Sequence, residues 1–226
     1  MLSTLLSSNG DIRGFLIQFL LSLPIIFLVI SIHETAHGYV AYKLGDPTAK
    51  NLGRLTLNPF KHIDPFGFAA MVLVGYGWAN PVPVNTRNFK NPRRDMALTG
   101  AAGPVSNILT AIIFVVIKKL LLRFTPNFVF ASDMTLLLFS IFIFFLELGA
   151  TYNVSFAVFN MLPIPPFDGS RILYVFLPPK YYFGIMKYER YIAIGLLVLL
   201  ILGVLDPIFL FCTEHILNLI YFIVRI

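Results

Sequence analysis

The sequence predicts an all-α polytopic membrane protein, with about five transmembrane helices and a small membrane-associated β-hairpin or re-entrant loop between the first two. Three observations predict it. Of 226 residues, 58% are hydrophobic and only 12% are charged, where a soluble domain carries about 25% charge. The mean hydropathy is +0.81. Five apolar segments, 14–42, 96–118, 133–160, 190–205 and 207–224, come near the ~20 residues that a helix needs to cross ~30 Å of hydrocarbon.

Taken in order, the first segment contains Pro24, expected to kink it, and ends at Gly45 and Pro47. It is long and lacks a small-residue cleavage site, so it reads as a span rather than a cleaved signal. The stretch 66–84 is apolar but too short to span, and it is broken by Gly67, Gly75, Gly77, Pro81 and Pro83. Phe68–Val74 reads as a strand, followed by a turn and a second extended piece. Non-helical backbone at that depth must be buried in protein or line a wet cavity; the other reading is an ordinary interfacial loop. The last two segments are separated only by Asp206-Pro207 and read as a tight helical hairpin over about 187–225.

Charge sets the orientation. With the N-terminus outside, the inner loops hold Lys43, Lys50, Arg54, Lys61, Arg87, Lys90, Arg93, Arg94, Arg171, Lys180, Lys187, Arg190 and Arg225, and the outer side keeps Arg13, Lys118, Lys119 and Arg123. Thirteen positive residues against four predict a protein of the cell (inner, cytoplasmic) membrane with its N-terminus outside and its C-terminus cytoplasmic. The net charge of +6 lies in these loops and gives no reason to expect nucleic acid. Cys212 is the single cysteine, which excludes an intrachain disulfide and argues against thiolate metal chemistry.

Inside the first apolar segment stands His33-Glu34-Thr35-Ala36-His37. Four residues apart on a helix, His33 and His37 share a face. Their imidazoles can hold one zinc ion while Glu34 reaches the attacking water as general base. The short pattern occurs by chance in many proteins, and two hydrogen-bonded core histidines would also satisfy it. Ionisable groups in a membrane segment are costly, however, and mark function by default. His37 and His33 lie six and ten residues before Lys43, so about 9 and 15 Å above the cytoplasmic end.

A catalytic zinc normally has three protein ligands and a water. The candidates for the third are His62, Asp64, Asp95, Glu147, Asp168, Glu189, Glu214 and His215. Asp168 is best placed, within Asn160-Met161-Leu162-Pro163-Ile164-Pro165-Pro166-Phe167-Asp168-Gly169. The prolines end the third long helix and Gly169 permits a sharp turn, which can aim a carboxylate back at the inner end of the bundle. An N-cap role for Asp168 in a following helix is the alternative. Glu147, mid-helix, must be protonated, paired or wet, and a polar bundle contact is its simplest use. His62 reads as a surface histidine beside Asp64, and His215 has no assigned role.

Three motifs in order resemble the site-2 proteases of peptidase family M50: His33 to His37, then Gly103-Pro104-Val105-Ser106-Asn107, then Asn160 to Gly169. Gly45-Asp46-Pro47-Thr48-Ala49-Lys50 and Asn80-Pro81-Val82-Pro83-Val84-Asn85 resemble tracts of the short prokaryotic members, without PDZ or CBS domains. The likeness covers most of residues 30–175. The resemblance implies that His33, His37 and Asp168 bind one Zn2+ per chain, that Glu34 activates water, and that Asn160 and Asn107 serve substrate or oxyanion binding. It further implies an intramembrane zinc metalloendopeptidase, a single domain over 1–226 with its catalytic core at about 12–175, cutting single-pass membrane proteins or peptides in or near the bilayer (regulated intramembrane proteolysis). The rival is a non-catalytic metal-binding transporter or scaffold. A transporter would be expected to show internal repeats, and none is visible.

Overall fold

The computed structural model describes residues 12–74, 77–125, 129 and 132–225. In chain order its helices are α1 (Ile12–Lys43), α2 (Thr48–Asn51), α3 (Pro65–Val74), α4 (Pro92–Arg123), α5 (Asp133–Asn160), α6 (Asp168–Leu173), α7 (Pro179–Met186), α8 (Glu189–Ile201) and α9 (Asp206–Ile223). Among the described residues four, α1, α4, α5 and α9, are long and apolar enough to cross a membrane. The fourth of the five expected spans falls away. Its helix, α8, has 13 residues, about 20 Å at 1.5 Å per residue and short of the hydrocarbon thickness.

Local signals set the helix ends. Gly45 has φ +109°, a left-handed conformation that lets the chain leave α1 at no Cβ cost. Within α1 the helix continues through Pro24. Pro92 opens α4 at a position where its missing N–H costs nothing. Ser132 and Thr135 close a reciprocal capping box at the start of α5.

Helix α4 packs between α1 and α5 and runs antiparallel to both, with His37 opposite Thr99, Val29 opposite Asn107, and Asn107 opposite Asn153. Ala111, Phe114, Val115, Leu146, Ala150 and Val154 fill the α4–α5 seam, joined by Ile220 and Val224 from the end of α9. The Phe114 ring lies where a side chain at Gly149 would stand, 2.4 Å from that missing Cβ.

The expected strand at Phe68–Val74 is corrected: this stretch is α3, a helix. Asp64 Oδ1 accepts from Gly67 N at 2.7 Å and Pro65 follows it at the first helical position, an N-terminal signal that a uniformly apolar run concealed. No β-hairpin is present among the described residues. What survives is the second extended piece, joined to the preceding loop by a single antiparallel bridge between Ile63 and Ala79. Gly67 and Gly77 exist for contact: a Cβ on Gly67 would meet Trp78 O at 2.0 Å, and one on Gly77 would meet Gly67 O at 2.1 Å. Gly75 lies outside the described residues.

The segment expected as a terminal hairpin, about 187–225, comprises α8 and α9. The turn between α8 and α9 sits at the Asp168 end of the bundle, where Leu196, Leu200, Leu205 and Phe209 pack on Phe159 and Phe167. From there α9 runs parallel to α4, and Tyr221 and Val224 reach Lys118 and Lys119. The two chain ends of the bundle therefore lie at the same end, opposite the histidines.

Candidate metal centre

The first helix supplies two imidazoles one turn apart, and α6 supplies a carboxylate between them. Asp168 Oδ2 lies 3.0 Å from His33 Nε2 and 3.0 Å from His37 Nε2, and the two nitrogens are 2.9 Å apart. All three residues are buried, and they are the described trio placed to hold a metal. Asp168 is the first residue of α6, whose N-cap is Phe167, so its side chain is turned to the histidines rather than spent on a cap. Gly169 has an ordinary φ. Its need for glycine is close approach, since a Cβ would stand 2.3 Å from Met161 O and 2.4 Å from Leu162 O.

The other ring nitrogens fix the tautomers. His33 Nδ1 donates to Asn107 Oδ1 at 2.7 Å, and His37 Nδ1 donates to Thr99 O at 2.6 Å. Both Nε2 lone pairs therefore face Asp168, the arrangement of metal-ligating histidines held by a second layer. Three lone-pair donors meeting in an apolar setting is the chemistry of a cation site. Ligand atoms around a tetrahedral zinc stand about 3.3 Å apart, so the trio needs to open by only a few tenths of an ångström. Room is provided by Gly103, where a Cβ would lie 2.5 Å from His37 Nε2 and 2.6 Å from His33 Nε2. The residues fit the metal.

Residues 21–203 match the profile of peptidase family M50. The chain belongs to that family. A Bacillus subtilis relative named "Putative zinc metalloprotease YwhC" is 43% identical over 183 residues, covering 80% of this chain and 79% of its own length. A relative of the same description from Methanocaldococcus jannaschii, MJ0611, is 29% identical over 163 residues, with 70% of this chain and 77% of that protein covered. Rip2 of Mycolicibacterium smegmatis is 29% identical over 162 residues, and there the match takes in 67% of this chain and 55% of Rip2. No solved structure matches. As a member of family M50, the chain is a zinc metalloprotease with membrane-crossing helices.

The residues singled out in the sequence do not all gather. Glu34 is buried beside the trio, its Oε2 accepting the Val82 backbone N–H at 2.8 Å. Asn107 stands behind His33, and its Nδ2 donates to Val29 O at 3.2 Å and Asn153 Oδ1 at 3.0 Å. Asn160 turns its amide onto its own helix, donating to Phe156 O at 3.0 Å. Glu147 is paired with Lys118 at 2.5 Å, at the far end of the bundle. His62 is corrected from surface to interior: it is fully buried, with Nε2 2.7 Å from Thr56 O. Sequence reasoning missed Thr99, Asn153 and Arg171, whose guanidinium lies 3.5 Å from Asp168 Oδ1. Asn153 had a legible signal, an amide inside an apolar helix; Thr99 acts through its backbone and had none.

Proposed function

We propose that this M50 protease cleaves membrane-spanning substrates within or near the bilayer, with His33, His37 and Asp168 as the zinc ligands and Glu34 as general base. The observation that carries the reading is the convergence of three buried donors, with Glu34 one residue from the first, inside an apolar helix bundle. Zinc held there supplies Lewis acidity toward the scissile carbonyl and lowers the pKa of water. Glu34 takes the proton of the attacking water and returns it to the leaving amine. Asn107 and Thr99 keep the imidazoles turned to the metal. The catalytic core is residues 12–175, in a single domain.

A cavity of about 1030 Å³ between α1, α5 and α9 supports approach from the bilayer. None of the trio lines it, but Phe156 does, and the Phe156 ring stacks edge-on against His33 with centroids 4.8 Å apart. Glu34→Gln tests the reading. Zinc should stay near stoichiometric while cleavage of a membrane-spanning peptide falls below detection; retained cleavage would remove Glu34 from the mechanism.

The orientation belongs to the same proposal. With the N-terminus outside a cell membrane and four crossings, Arg225 joins the outer side, leaving 12 basic residues inside and five outside. The metal centre then lies near the cytoplasmic face. In a Cys212→Ser background, cysteines at Asn91 and Lys180 should label from the cytoplasm and one at Arg225 from outside. Labelling of all three from one side would overturn the four-crossing topology.

A further inference from the structure

We propose that the backbone N–H of Val82 positions Glu34 for proton transfer, and that Arg54 holds that amide in place. The inference rests on Glu34 being the general base. It starts from Asn80-Pro81-Val82-Pro83-Val84. Proline has no N–H and biases the residue before it to extended backbone. Both Asn80 and Val82 precede prolines, so the tract is extended and Val82 carries its one backbone donor between Asn80 and Val84. That donor meets Glu34 Oε2 at 2.8 Å, with both residues buried. Oε1 accepts from no described residue, which leaves one carboxylate oxygen for the water.

Anchors on both sides keep the tract where it is. Upstream, the Arg54 guanidinium donates to Asn80 O at 2.6 Å and Pro81 O at 3.3 Å, the two carbonyls just before the Val82 amide. Asn80 N donates to His62 O at 2.7 Å. Downstream, the buried Asp46 carboxylate accepts from Asn85 N and Asn88 Nδ2, each at 2.7 Å, and from Thr48 Oγ1 at 2.5 Å. Burial pushes the Asp46 carboxyl up, but these bonds prevail and hold it below its ordinary value. On α1, one turn past Glu34, Gly38 lets the tract close in: a Cβ there would lie 3.1 Å from Val82 Cγ1 and 2.7 Å from Leu55 Cδ2. A loop that only needed covering would not require a lone donor, fixed from both ends, on the reactive carboxylate.

Replacing the Val82 amide by an ester, through the corresponding α-hydroxy acid, deletes the donor and keeps the side chain. A hydrogen bond to a charged group is worth enough that kcat on a quenched membrane-spanning peptide should fall about tenfold to a hundredfold. KM and zinc content should not change. An ester at Val84, whose N–H donates to no described residue, should keep wild-type kcat. Arg54→Ala should lower kcat with zinc retained, and Arg54→Lys should recover most of it. In infrared spectra, the Glu34 carboxylate band, assigned by subtracting E34Q, should shift in the Val82 ester and in Arg54→Ala but not in the Val84 ester, with no substrate needed. An unshifted band, an unchanged kcat, or a loss explained by lost zinc or stability would overturn the proposal. Activity in E34Q would instead overturn the base assignment beneath it.

Discussion

Two polar clusters sit at opposite ends of this bundle. At one end His33, His37 and Asp168 present lone pairs to one another, with the histidine protons already committed to Asn107 and Thr99. At the other, Lys118 meets Glu147 at 2.5 Å and Tyr221 at 3.1 Å; Tyr221 also donates to Glu147, and Lys119 binds Tyr221 O at 2.8 Å and Val224 O. The second cluster contains its own cations and closes on itself. The first closes only when a cation is added. Ionisable groups at membrane depth are costly in both places, and which kind of group is in excess separates a metal centre from a clasp.

Breaking each cluster should have different consequences. The largest is expected from Asp168→Ala, which should abolish both bound zinc and proteolysis, while Asp64→Ala, at the start of α3, should abolish neither. Metal analysis of the two purified variants decides this, and zinc retained in Asp168→Ala would remove that residue from the ligand set. Next comes the clasp. Lys118→Met leaves Glu147 without its cation and should lower stability by about 1.5–3 kcal/mol, whereas zinc content should not change. Adding Glu147→Met should restore much of the loss, because an apolar pair is a fair substitute for a half-buried ion pair in an apolar bundle. Thermal unfolding of the single and double variants tests the comparison, and zinc loss in Lys118→Met would show that the two ends are coupled. Smallest is Asn107→Ala, which removes the acceptor for His33 while sparing the ligands. Zinc affinity should fall about 10–100-fold, measured by competition with a chelator, and unchanged affinity would make Asn107 a packing residue only.

The sequence made the metal trio readable because each member is a chemical anomaly in its surroundings. Two histidines and a glutamate interrupt an apolar helix, and a carboxylate follows a proline-rich helix end. Long spans were equally plain, since hydropathy over 20 residues averages out local ambiguity. Failures came where the signal was short or non-local. A ten-residue apolar run at 65–74 carries no periodicity that separates strand from helix, and only Asp64-Pro65 marks it as α3. Helix α8 reads as a span in the sequence because its apolar character continues past Ile201, yet Gly203, at φ +69°, turns the chain there. His62 looked like a surface residue because it is surrounded in sequence by charge, while its burial depends on Thr56 and Asn80, which no local pattern reveals. The Val82 contact joins residues 48 positions apart.

The Asn107 amide gathers His33 and Val29 O from α1 and Asn153 from α5, and the carboxylate beneath it comes only with residue 168. This order has a meaning in time. During synthesis the paired histidines enter the membrane before the helix bearing Asn107, that helix enters before the one bearing Asn153, and Asp168 follows later still. A partly made chain therefore has imidazoles and no finished cage. The three donors can meet around a cation only once residue 168 has emerged, so a product truncated before it would lack the third member of the trio.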